Sequence, residues 1–85
     1  MKLIYKRDYP QPGEKWKHFK GHVYKILFIA GDAEHEGLAV AYQSEEVPKL
    51  KWVRSLKMFM SEVDHEKYPD VTRKWRFEKV GDANE

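Results

Sequence analysis

Apolar and polar residues alternate through most of this chain, in short runs cut by glycine and proline. Val23 to Ala30 is the strongest run: β-branched and aromatic side chains dominate it. From Ile26 onward both of its faces are apolar, which predicts a central strand. Leu38, Val40 and Tyr42 alternate with Ala39 and Ala41, the pattern of a strand packed closely on one side. Leu50 to Arg54 predicts another strand, with Leu50, Trp52 and Arg54 on one face, and Trp75 to Lys79 alternates in the same way. Glu14 to Lys20 precedes a Gly21-His22 turn and pairs with the strand after it as a hairpin. Polar loops are expected at Gly31–Gly37 and at Ser44–Lys49, the second containing Pro48. Two readings fit Ser55 to Val63. Leu56, Phe59, Met60 and Val63 have helical spacing behind a Ser55 cap; alternatively, one tight turn through Leu56–Phe59 leads into an extended segment. About five short strands joined by polar turns describe a mainly β fold, a small barrel or roll.

Domain limits follow from the same punctuation. Pro10, Pro12 and Gly13 set residues 1–12 apart as an N-terminal extension, from which Leu3 to Tyr5 can add an edge strand. Residues 13–80 form the domain, and residues 81–85, with nothing to bury, are expected to fray as a disordered tail.

Composition narrows the chemistry. The 85 residues are 41% hydrophobic and 35% charged, and 14% are aromatic, so rings must supply much of a modest core. Cysteine is absent, which excludes disulfides, thiolate metal sites and cysteine nucleophiles. A secreted domain of this size usually needs covalent staples, so a cytoplasmic location is expected. Met1 to Asp8 holds three apolar residues before charge returns, too few for a signal peptide or a membrane span. Net charge is +2, but residues 1–25 carry +5, residues 26–50 carry −4 and the remainder +1. A basic first third can face an anionic partner. The plainer reading is solvated lysines, some paired with the acidic middle.

From Gly13 onward the chain resembles a family of short bacterial domains of unknown function assigned to the SH3-type barrel class. The landmarks run in order: Trp16, His18-Phe19-Lys20-Gly21, Tyr24, Ala30, Glu34, Val40, Tyr42-Gln43, Trp52-Val53-Arg54, Leu56, Met58-Phe59, Val63 and Arg76-Phe77. Ser55 stands where the family usually has proline, and Asp32-Ala33 where it has His-Ser. The resemblance implies an SH3-like barrel and favours the turn after Arg54 over a longer helix. It implies almost nothing about activity, since one fold hosts many functions.

Catalysis finds little support. None of Ser44, Ser55 and Ser61 lies in a nucleophile elbow, and no phosphate loop is present. Glu34/Glu36 and Glu45/Glu46 sit in polar loops, where water keeps carboxylates ionised. His18 and His22 lack the helix and the glutamate of a zinc motif, and Asp32 to Glu36 lacks calcium-loop spacing, so neither metal nor cofactor is expected. The aromatic set is richer: Trp16, Tyr24, Phe28, Tyr42, Trp52, Phe59, Trp75 and Phe77. Most should be core, but the fold class that the resemblance implies displays such rings along a groove that binds extended peptides. Trp52 and Arg54 share a face, and a guanidinium beside an indole suits a carboxylate, a phosphate or a base. The plainer role for Arg54 is an ion pair with Glu34 or Glu62. The candidate ligand-binding residues are therefore His18, Lys20, Tyr42, Trp52 and Arg54. The expected function is noncatalytic recognition of a protein or peptide segment through an aromatic and Arg-lined groove. The alternative is nucleic-acid binding by the basic third with aromatic stacking.

Overall fold

The computed structural model describes residues 7–81. Leu3 to Tyr5 and most of the expected tail lie outside the described residues. Five strands form one antiparallel sheet: β1 (Lys15–His18), β2 (Val23–Gly31), β3 (Leu38–Ser44), β4 (Lys51–Ser55) and β5 (Phe77–Lys79), in the order β4-β3-β2-β1-β5. The fold is mainly β, and the long apolar strand β2 lies at the centre. No helix among the described residues is long and apolar enough to cross a membrane.

Local chemistry explains the connections. At the β1–β2 hairpin the His18 N–H donates to His22 O, and the Gly21 N–H donates to His18 O (2.8 Å each). Closing that turn needs φ +104° at residue 21, a conformation that costs glycine nothing. After β4 the chain makes one helical turn, α1 (Leu56–Phe59), and then runs extended past Glu62, which bridges Trp75. The Ser55 hydroxyl accepts from the Met58 N–H at 3.1 Å and caps the turn, so the shorter of the two readings holds.

The sheet is rolled. Laid flat, β4 and β5 would stand about 19 Å apart, four strand spacings. Instead the Arg54 guanidinium of β4 lies 5.7 Å from the centre of the Phe77 ring of β5. The concave face holds the core: Trp16, Ile26, Val40, Tyr42, Leu56, Phe59, Met60 and Phe77. Phe59 reaches it from α1 and meets rings from three strands, Trp16 at 5.5 Å, Tyr42 at 5.6 Å and Phe77 stacked at 4.1 Å.

One irregularity decides which side chains are buried. Ile26 pairs with Tyr42 and Phe28 with Ala41, so Leu27 is an extra residue in β2, a bulge. An extra residue reverses the faces beyond it. Ile29 therefore packs against the core, and Phe28, expected inside, is 54% exposed on the convex face.

Residues 7–12 pack on this domain. Pro10 is buried and Tyr9 lies against the core. Arg7 donates to the carbonyls of Met60 (3.0 Å) and Phe77 (2.7 Å), with its guanidinium 4.2 Å from the Trp75 ring centre.

Candidate functional site

The roll brings residues distant in sequence to one rim of the concave face. Trp52 and Arg54 project from β4 opposite Tyr42 and Val40. Tyr42 is buried, and its hydroxyl accepts a hydrogen bond from Arg54 Nε at 3.1 Å. The Arg54 guanidinium is thereby held over Phe77. His18 enters from β1, its ring 4.9 Å from Phe77 and 4.4 Å from Phe19. Its Nδ1 accepts the Lys20 N–H at 3.1 Å, which places any ring proton of the neutral form on Nε2. Lys20 is exposed, with its ammonium 5.1 Å from the Tyr68 ring centre.

Trp52 differs from the expected core role. It is 41% exposed, stacked on Tyr42 at 6.1 Å and edge-on to Tyr24 at 5.5 Å. Being on an edge strand, it has a ring on its inner side and none beyond it. A groove of about 270 Å³ opens there, walled by Tyr24, Val47, Leu50 and Trp52, with His22 and Glu46 at its polar side.

Arg54 also departs from the plainer expectation. Among the described residues no carboxylate lies within ion-pair distance of Arg54 or of Arg76, whose Nε donates to the Ser61 hydroxyl at 3.1 Å. Glu34 and Glu62 stand elsewhere. Acids neutralise other cations instead: Lys15 pairs with Glu45 (3.1 Å), Lys79 with Glu14 (3.0 Å) and Arg73 with Glu78 (3.2 Å). The basic first third is thus partly matched by the acidic middle.

The local field is positive. Burial, and then the charges of Arg54, Arg76, Lys20 and Arg73, push His18 down to about 4 from 6.5. The unfolded chain takes up this proton near 6.5, whereas the folded chain resists it until about 4. The associated stability is complete above about 6.5 and is lost as pH falls from there toward about 4. We expect the His18 ring resonances to titrate near 4 and His18→Gln to flatten this part of the stability profile. A ring titrating near 6.5 would contradict the arrangement.

All five candidates from the sequence thus adjoin one another, His18, Tyr42 and Arg54 around Phe77, Trp52 beside Tyr42, and Lys20 beside His18. Arg76 belongs with them and was not among the candidates; its place next to Phe77, two landmarks in a row, was the available signal. Tyr24 was counted with the core and forms a groove wall. The three serines make local hydrogen bonds. Ser44 accepts from the Glu46 and Val47 N–H groups, Ser55 caps α1, and Ser61 donates to the Met58 carbonyl. No group of three His, Cys, Asp or Glu among the described residues could hold a metal ion.

A family model described as protein of unknown function (DUF1653) matches residues 14–79. No curated protein and no solved structure matches the chain.

Proposed function

We propose, from the premise that the chain belongs to the DUF1653 family, that it is a noncatalytic binding module that takes a protein segment along the Trp52–Arg54 rim. The strand order, with a helical turn between β4 and β5, supports placing it among SH3-like barrels. We place it in the bacterial cytoplasm. One observation carries the reading. A half-buried arginine, fixed by Tyr42 and Phe77 and lacking an acid, stands next to an exposed tryptophan at an apolar groove. A folded domain seldom leaves a partly buried cation unpaired without a use for it.

Stacking on Trp52 beside cations also favours a second reading, single-stranded nucleic acid. The pairing of Lys15 with Glu45 weakens it by removing positive surface from the same third of the chain.

Immobilised protein exposed to extract of the source cell tests both readings. We expect a protein partner set that resists nuclease and is lost with Trp52→Ala and with Arg54→Ala. Arg54→Ala leaves the Tyr42 hydroxyl without its donor, at a cost of about 1 kcal/mol. That corresponds to a melting point lower by about 4–8 °C in a domain of this size, and circular dichroism at the assay temperature checks that the variant is folded. Capture that survives both substitutions would refute the site, and capture abolished by nuclease would favour nucleic acid.

A further inference from the structure

We infer that the ligand is an extended segment with an apolar side chain and, two positions away, a carboxylate: the apolar group beside Trp52, the carboxylate on Arg54. This rests on the binding-module reading and names its ligand class.

Spacing is the first argument. Trp52 and Arg54 are alternate residues of β4 on one face, about 6.5–7 Å apart. An extended chain lying along them repeats its own side chains at that interval. The chemistry at each end is different. At the Trp52 end Val47, Leu50 and Trp52 are each more than a third exposed around the groove, so apolar surface there has no cover. At the other end Arg54 spends only Nε within the protein, on the Tyr42 hydroxyl. Its two terminal nitrogens make no hydrogen bond among the described residues, are not closed off from solvent and have no acid beside them, and a guanidinium fork can receive a carboxylate through two parallel hydrogen bonds. Lys20 and Arg76 also act on His18 through their charge and add to the positive field.

Polarity then gives direction. Glu46 borders the groove on the side away from this cluster, in a pair with His22 at 3.1 Å. A carboxylate at that end meets a like charge, whereas one at Arg54 meets a cation in a positive field. An acidic peptide fits better than a phosphate chain, whose charges would run past Glu46 as well as Arg54.

The probes are fluorescein-labelled peptides Gly-Ser-X-Ser-Glu-Ser-Gly, with X as Leu, Val, Phe or Tyr, read by fluorescence polarisation against the full chain. Two companion series replace Glu by Gln or move Glu next to X, and a labelled oligothymidylate serves as the phosphate arm. We expect at least one Glu peptide to bind and both companions to bind about tenfold or more weakly, a difference of about 1.4 kcal/mol. Arg54→Gln should erase most of the Glu-over-Gln preference, and Trp52→Ala should weaken both peptides together. Equal affinity for Glu and Gln peptides would overturn the carboxylate assignment and leave the groove reading intact. Equal affinity for the shifted Glu would overturn the spacing. Binding of the oligothymidylate alone, lost in Trp52→Ala, would overturn this inference and the peptide reading together. If no peptide binds at millimolar concentration the inference also fails, while a partner set captured from extract would still uphold the module reading.

Discussion

Phe59→Ala is expected to remove most of this protein's stability near 25 °C. Phe59 is 0% exposed and joins Trp16, Tyr42 and Phe77, rings contributed by β1, β3 and β5. Truncating a buried phenylalanine costs about 3–5 kcal/mol, from lost transfer energy and from the cavity left behind. Small domains have about 5–15 kcal/mol in total, and one this short belongs near the low end. The loss also falls where it cannot be absorbed, because α1 is one turn long and meets the core through Leu56 and Phe59. Urea unfolding followed by circular dichroism measures the effect. Phe59→Leu should retain more than half of the stability that Phe59→Ala loses. A cost below about 1 kcal/mol for Phe59→Ala, the range of an exposed position, would mean that the turn does not close the roll.

Arg7→Ala should be nearly as damaging, although Arg7 precedes the strands by eight residues. Its guanidinium donates to the Met60 carbonyl after α1 and to the Phe77 carbonyl on β5, and it lies over Trp75 and Trp16. It thereby ties the chain end, the helical turn and the last strand together. Burial lowers its pKa from the ordinary guanidinium value, with the nearby Glu78 opposing the shift, and an arginine side chain stays charged at neutral pH. Hydrogen bonds from a charged donor contribute about 1.5–3 kcal/mol each, and the stacked rings add to that. Two bonds acting on one side chain share its ordering cost, so a loss of about 2–4 kcal/mol is expected. Arg7→Lys should restore less than half, since an ammonium has no planar fork to reach two carbonyls. Thermal melts of the two variants and of a chain lacking residues 1–12 check this. Arg7→Ala within about 0.5 kcal/mol of the parent, the range of ordinary surface changes, would show that the strap carries no stability.

The strands and turns were legible in the sequence because their causes are local. Alternation marked β3 and β4, β-branched density marked β2, and Gly21 and Pro48 marked their breaks. Landmark order added the short turn after Arg54. The site was half legible. Trp52 and Arg54 could be set on one face by counting, and His18 and Lys20 were named among the candidates. Their company could not be read, since His18, Arg54 and Arg76 come from separate strands and segments.

Local preference determined where the chain extends and where it turns, together with the supply of rings for a core. Tertiary structure alone decided three things. The Leu27 bulge turned Phe28 outward, because a shift of one residue in pairing with β3 reverses a period of two. The roll brought β4 to β5 and so set Arg54 over Phe77 without an acid beside it. Arg7 found partners 53 and 70 residues away. Contacts at such separations are chosen by the shape of the closed sheet, which no window of neighbouring residues contains.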